Sequence, residues 1–355
     1  MDTHDPHTPS PRNSRKPSLA DVAVLAQVSK MTVSRMLRFP HMVSPKTKER
    51  IQSALDQLGY TPDPFISIYT TRLKTSRSSH SNACIGLVHT FHQDIDSLKS
   101  FFYTHLLRGS RETAHNLGYE LISITMKELK ENPSASTRIL RSRGILGLII
   151  SPMDSPKATL LNIDWTPFAA VSLGYSLSSP RLHRVCTDHT RSMLLAIERL
   201  RKKGYRRIGC CLLKKTDLRM NHLWHGAFHT QTMHFPSSQQ IPCFVGNKSQ
   251  TNLFLDWIHR WKPDALIGSS TFFYHLLLKA GYKVPEMLEF IALAIHEAPH
   301  VPVPGLMAQP DALGTAAVEL LVSQFHHAQY GIPAHPKTLL VETTWRNRPP
   351  LDSQS

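Results

Sequence analysis

The sequence predicts an all-α head followed by α/β lobes built on parallel sheets, and three observations carry that expectation. Apolar residues recur at helical spacing from Ser18 to about Tyr60. A polar, basic, Ser-rich stretch, RLKTSRSSHSN at 72–82, then interrupts the pattern as a linker does. From Ala83 onward short apolar runs alternate with amphipathic segments, the rhythm of doubly wound sheets covered by helices on both faces.

Within the head, Ser18 and Asp21 fit a capping box, so a helix starts at Leu19, with Val22, Ala23 and Leu25-Ala26 on its apolar face. The polar break Gln27-Val28-Ser29 follows. Ser29 can cap a second helix whose inner stripe is Val33 and Met36-Leu37. That leaves Lys30, Met31, Thr32, Ser34 and Arg35 facing outward. Ser44-Pro45 then opens a third helix with Ile51, Ala54-Leu55 and Leu58 at helical spacing. Two short helices joined by a tight break, the second with an exposed polar and basic face, are what a helix-turn-helix needs to enter the major groove. Lys and Arg reach guanine edges or phosphates, and Ser and Thr serve either role. A small helical bundle with a solvated basic face has the same pattern.

After the linker the elements follow in order. ACIGLVHT, ELISIT, ILGLIIS and PFAAVSL read as strands, with FFYTHLLRGSRETAHNLGY and STRILRSRG as helices between them. MLLAIERLRKKGY and RRIGCCLL resume the rhythm, and DALIGS and EFIALAI extend it, so two α/β lobes are expected.

Composition sets the classes. The chain has 355 residues, 41% of them hydrophobic, enough to bury a sizeable core. Its 41 Lys and Arg against 26 Asp and Glu give a net charge of +15, which favours a polyanionic partner. Residues 81–355 are also net positive, so the local arrangement in the head says more than the total. No apolar run approaches a membrane span, and MDTHDPHTPSPRNSRKPS lacks the apolar core of a signal peptide; the expected location is the cytoplasm. Five cysteines, Cys84, Cys186, Cys210, Cys211 and Cys243, form no C-x-x-C pair and read as reduced, buried thiols. No cofactor is implied.

LADVAVLAQVSKMTVSRML at 19–37, followed by VSPKTKERIQSALDQLGYTPDP at 43–64, resembles the head of the lactose repressor (LacI/GalR) family of bacterial transcription regulators. The D-V-A, V-S, T-V-S-R and V-S-x-x-T elements match in order and spacing. The second half agrees more loosely, through VCTDHTRSMLLAIERLRKKGYRRIGC, KPDALI and LGTAAVELL. The resemblance implies a homodimer on a pseudo-palindromic operator, and a periplasmic-binding-protein-like domain with a small effector between its lobes. It places Lys30 and Met31 where the family reads bases, and Ser29, Thr32, Ser34, Arg35 and Thr47 at base or backbone contacts. Gln27 stands where the turn usually carries Gly, and Arg38 where Asn is frequent, an added phosphate contact. TPDPFISIYTTRL resembles the family hinge helix, with Tyr69 at the position of the leucine that wedges into the minor groove. Ile68 is the neighbouring candidate, and packing of Phe65, Ile66 and Tyr69 between protomers is the plainer alternative. The implied organisation is a flexible tail at 1–17, the DNA-binding head at 18–62, hinge helix and linker at 63–81, the two-lobed effector and dimerisation domain at 82–346, and a tail at 347–355.

A cleft in such lobes lies at the carboxyl ends of the strands, which nominates Phe91, His92, Ser172, Tyr175, Ser270, Thr271, His296 and Glu297. Trp224 can supply a stacking face for a saccharide. The family's effector-anchoring Arg, three residues before a Gly, is Leu223 here, with Arg219 nearby; Ser172 and His296 fall where the family often carries Asp. His222, His225 and His229 fall at i, i+3 and i+7, but in a chain with 21 histidines chance spacing is the reading favoured over a metal site. No phosphate loop, nucleophile elbow or H-E-x-x-H is present. The expectation is therefore an effector-controlled DNA-binding repressor, with a cytoplasmic sugar-binding protein or sugar-modifying enzyme as the alternative.

Overall fold

The computed structural model describes residues 17–38, 43–60, 83–89, 100–131, 133–154, 158–159, 163–295 and 300–348. They fall into two compact units that divide near residue 80.

The first unit holds helices α1 (Leu19–Leu25), α2 (Lys30–Arg38) and α3 (Pro45–Leu58). The capping box forms in both directions: the Ser18 amide donates to Asp21 Oδ2 at 2.7 Å and the Asp21 amide to Ser18 Oγ at 3.4 Å. Val22, Ala23, Ala26, Val33, Met36, Ile51, Ala54 and Leu55 make one core. Leu25, expected on the inner face, is instead 46% exposed. At 100° per residue it lies about 110° from the centre of the stripe formed by positions 19, 22, 23 and 26, so of the pair Leu25-Ala26 only Ala26 is buried. Ser44 precedes α3, but its hydroxyl pairs with Thr47 Oγ1 at 2.9 Å rather than with the backbone.

The second unit is two lobes. In the first, β1 (Cys84–His89), β2 (Glu120–Thr125), β3 (Ile145–Ile150), β5 (Ala169–Leu173), β7 (His183–Thr187) and β13 (Thr338–Val341) form one sheet in the order β13-β7-β5-β3-β1-β2, every pairing parallel. A two-stranded ribbon of β4 (Ala158–Thr159) and β6 (Leu177–Ser179) stands apart from it. Helices α4 (Phe101–Asn116), α5 (Met126–Glu131) and α6 (Pro133–Ser142) connect these strands. Successive residues of β1 feed opposite cores: Cys84 and Val88 pack on one face, Ile85 and Leu87 on the other.

In the second lobe, β8 (Ile208–Leu213), β9 (Phe244–Gly246), β10 (Ala265–Gly268), β11 (Glu289–Ala292), β12 (Gly305–Met307) and β14 (Thr344–Arg346) order as β14-β12-β11-β10-β8-β9. All pairings are parallel except β12 with the edge strand β14, the one departure from the all-parallel expectation. Helices α7 (His189–Lys202), α8 (Lys214–Arg219), α9 (Leu223–Thr232), α10 (Thr251–Trp261) and α11 (Thr271–Lys279) surround this sheet. Helix α12 (Pro310–His326) returns to the first lobe, where Leu313, Ala317 and Leu321 join the core of Ile85 and Leu106. The chain therefore passes between lobes three times: from β7 into α7, from β12 into α12, and from β13 into β14. Arg348, expected in the tail from 347, is held in place: its Nη1 donates to the Pro302 carbonyl at 2.7 Å and its other amino group pairs with buried Glu289.

Helices α4 and α12 touch through glycines. A Cβ at Gly314 would overlap the Leu106 carbonyl oxygen, and one at Gly109 the Asp311 carbonyl oxygen. These are backbone atoms that no rotamer change can move. Gly314→Ala is expected to destabilise this unit by about 1–3 kcal/mol, read as a lowered urea midpoint; an unchanged midpoint would show that the helices can part without cost.

Candidate nucleic-acid interface and effector cleft

Helix α2 is presented by the turn before it. Gln27 adopts the left-handed conformation with φ of 50°, and the Val28 amide closes onto the Ala23 carbonyl at 3.0 Å. Ser29 then caps α2, its Oγ accepting from the Thr32 amide at 3.1 Å and lying 2.8 Å from Thr32 Oγ1. With Val33 and Met36 buried, Lys30, Met31 and Arg35 are exposed and Thr32 and Ser34 half-buried, so one face of α2 is free for readout. Arg38 is the last residue of α2, Thr47 is half-buried in the first turn of α3, and Tyr69 lies outside the described residues.

From the sequence Arg50 counts only as charge. In the structure its Nη2 donates to the Ala26 carbonyl at 2.6 Å and to the Gln27 carbonyl at 3.1 Å. A cation from α3 thus satisfies the carbonyls that α1 leaves unpaired at its end. Spacing along α3 shows that Arg50 is off the apolar stripe, but not that a turn 23 residues away awaits it.

The second unit has a cavity of about 610 Å³ between the carboxyl ends of its two sheets. Phe101, Tyr103 and Tyr175 line it from the first lobe, and Arg219, Trp224 and Leu293 from the second. His189 and Thr343, on two of the crossings, also line it. Rings bridge the lobes across this cavity. Tyr175 lies 6.1 Å from His189, and His189 meets Trp224 edge-on at 5.0 Å. His189 carries no signal in the sequence, because its place just after a strand exit resembles any helix start.

Two donors in this wall have no acceptor among the described residues: the buried Nε of Arg219 and the Nε1 of Trp224. Burial, followed by the neighbouring Cys186, pushes the Tyr175 phenol up, and burial pushes the Cys186 thiol up to about 12. Both are neutral at physiological pH, so they can only donate or accept hydrogen bonds.

Of the other nominated cleft residues, Ser172 is fully buried in β5, its hydroxyl donating to the His183 carbonyl at 3.4 Å. The pleat turns it into the sheet interior, so it is a core residue and not a lining one. Ser270 caps α11, accepting from the Phe272 amide at 3.2 Å, which commits its hydroxyl to the helix. Thr271 follows it as the first residue of that helix. Phe91, His92, His296 and Glu297 lie outside the described residues. His222, His225 and His229 do not share one helix: α9 starts at Leu223, and His222 sits before it with φ of 58°.

Gln27 pays the cost of a left-handed non-glycine residue. Gln27→Gly is expected to stabilise the head by about 0.5–1 kcal/mol, measured by its thermal unfolding; a lower melting temperature would mean the Gln27 side chain makes a stabilising contact. Arg50→Met should destabilise the head by about 1–3 kcal/mol, because two carbonyls lose their donor; an unaltered melting temperature would mean solvent satisfies them.

Residues 18–63 match the family model described as "Bacterial regulatory proteins, lacI family". Over 194 residues the chain is 30% identical to the HTH-type transcriptional regulator MalR of Streptococcus pneumoniae, covering 54% of this chain and 55% of that protein. The alignment thus spans about half the length of this relative. The HTH-type transcriptional repressor PurR of Aliivibrio salmonicida is 21% identical over 344 residues, 91% of this chain and 97% of that one. Among solved structures, the lac repressor dimer bound to operator and the anti-inducer ONPF superposes with a TM-score of 0.55 at 18% identity, covering 94% of this chain and 98% of that one. A CelR–cellobiose complex gives 0.53 at 19% identity, covering 94% and 99%. These structures share the two-lobed α/β fold, while the head carries the family signature. By that head, over residues 18–63, the chain is similar to the lacI family of bacterial regulatory proteins.

Proposed function

We propose that this protein is a sequence-specific DNA-binding transcriptional repressor whose operator affinity is set by a small effector held between its two α/β lobes. The observation that carries the reading is the exposed face of α2, where Lys30, Met31 and Arg35 stand free on a helix capped by Ser29 and braced by α1 and α3. Bases would be read by Lys30, Met31 and Arg35, with Ser29, Thr32, Ser34, Arg38 and Thr47 at the backbone or base edges. The operator would be a pseudo-palindrome bound by a homodimer, in the manner of the lac repressor, whose crystal structure is of a dimer bound to operator. Tyr69, in a hinge at 63–81, would supply the minor-groove wedge.

The effector reading rests on the cavity with its unpaired Arg219 and Trp224 donors. A saccharide offers hydroxyl acceptors to both and an apolar ring face to the aromatic wall, and the CelR complex contains cellobiose. Binding would act by population shift, favouring one lobe orientation and through it one state of the head. The reading places the protein in the cytoplasm and assigns it no catalysis; no helix among the described residues is long and apolar enough to cross a membrane.

Selection of bound sequences from random duplex DNA by the full-length protein, at stated salt, tests the proposal. Enrichment of a pseudo-palindrome supports it; salt-sensitive binding without enrichment, with and without a saccharide panel, overturns it. Arg35→Ala should weaken binding to the selected site by about 1–3 kcal/mol in a titration, and unchanged binding would remove Arg35 from the interface. A saccharide that raises the wild-type melting temperature should lose that effect in Trp224→Ala; an equal shift in both would place the effector elsewhere.

A further inference from the structure

The turn between α8 and α9 gathers three metal-ligating side chains that the proposed function leaves unused. Asp217 lies in α8 and is 3% exposed. His222 Nδ1 is 2.7 Å from Asp217 Oδ2, and His225 Nδ1, in the first turn of α9, is 3.8 Å from the same oxygen. One ligand atom from each of the three lies within 4.8 Å of the others. Asn221 and His222 both adopt left-handed φ, 53° and 58°, and this double reversal turns the His222 ring back over the carboxylate.

Hydrogen bonding does not account for the cluster. Asp217 Oδ2 is satisfied by His222 alone, and 3.8 Å is too long for a bond to His225. The other oxygen, Asp217 Oδ1, is buried with no hydrogen-bond partner among the described residues. The carboxylate therefore keeps one buried oxygen, Oδ1, to spare, while both imidazoles approach the other, Oδ2.

We propose that Asp217, His222 and His225 form a site for one divalent transition-metal ion of the zinc class. Bonds of about 2.0–2.2 Å to N and O in a tetrahedron set ligand atoms about 3.3 Å apart, and the observed 2.7 and 3.8 Å bracket that separation. The ion replaces the proton on His222 Nδ1 and draws His225 in. Both imidazoles keep their outer edges in solvent, His222 being 55% and His225 41% exposed, so each Nε2–H stays hydrated and water completes the coordination. Two nitrogens and a carboxylate oxygen favour zinc, cobalt or nickel over calcium or magnesium. The neighbouring Cys210 and Cys211 are fully buried in β8. The site differs from the helical row of His222, His225 and His229 suggested by sequence spacing, because the reversal at 221–222 pairs His222 with Asp217.

The ion would join the end of α8 to the start of α9, the same two helices that carry Arg219 and Trp224 to the cavity wall.

The test is titration of tag-free, chelator-stripped full-length protein with Co²⁺, followed by its visible absorption, with Zn²⁺ as competitor. One equivalent should bind to the wild type and to His229→Ala. Affinity should fall at least tenfold in His225→Ala, whose exposed ring can be removed without disturbing the core, and in Asp217→Asn if circular dichroism shows it folded. Ca²⁺ and Mg²⁺ should not displace the Co²⁺. No specific equivalent in the wild type, or wild-type affinity in His225→Ala, overturns the proposal.

Discussion

The arrangement of the second unit depends on one constraint: among the described residues its two lobes share no core. Every buried cluster belongs to one sheet alone, Leu148 and Phe168 to the first, Ile208 and Ile267 to the second. What joins them is three crossings of the chain, held together by a few polar contacts. The Asp188 amide donates to the Val341 carbonyl at 2.9 Å, Ser192 Oγ lies 3.0 Å from Thr343 Oγ1, and Gln309 Nε2 donates to Thr344 Oγ1 at 2.7 Å. Burial supplies most of the stability of each lobe, and these clusters can stay intact while one lobe turns against the other. The proposed effector would therefore shift the molecule between orientations at a cost far below that of unfolding.

The head obeys an opposite economy. Three short helices around eight buried residues make a core near the lower limit of independent stability. Polar contacts at the helix ends consequently matter more here than in the lobes. The Ser18–Asp21 box, the Ser29 cap, the left-handed Gly59 at the end of α3 and the Arg50 clasp on the turn each secure an end that the core is too small to hold. They also fix the angle at which α2 stands out. A loosened turn would leave Lys30 and Arg35 in place along the helix but misdirected toward a groove.

Local signals made the head legible. Ser18 with Asp21, Ser29 ahead of Val33, and Gln27 at a glycine position each pointed to a conformation set by neighbours within a few residues, and the strand runs pointed to sheets because a two-sided core demands continuous apolar residues. What escaped depended on distant partners. Arg50 finds the carbonyls of Ala26 and Gln27 only after α3 has folded back. His189 becomes part of the ring chain only when Tyr175 and Trp224 arrive from different lobes. Ser172 and Ser270 were nominated by their place near strand ends, but pleat direction sends one into the core and capping commits the other. Histidine spacing could not show the pairing with Asp217 for a related reason: periodicity assumes an unbroken helix, and two left-handed residues break it.

Magnitudes decide whether the proposed cleft suffices to control DNA binding. An allosteric coupling of typical strength is about 1–3 kcal/mol. Leaving one buried donor unsatisfied costs about 1–3 kcal/mol, and the cleft holds two, on Arg219 and Trp224. An effector that supplies acceptors to both, and that meets the aromatic wall of the first lobe only when the lobes approach, gains that energy in one orientation and not in the other. Differential affinity, rather than tightness, is what moves an equilibrium. Because the donors belong to the second lobe and Phe101 and Tyr103 to the first, the cavity is divided between the two bodies whose relation it must sense. A pocket of the same chemistry built within one lobe would bind equally well in both orientations and could not carry the proposed control of DNA binding.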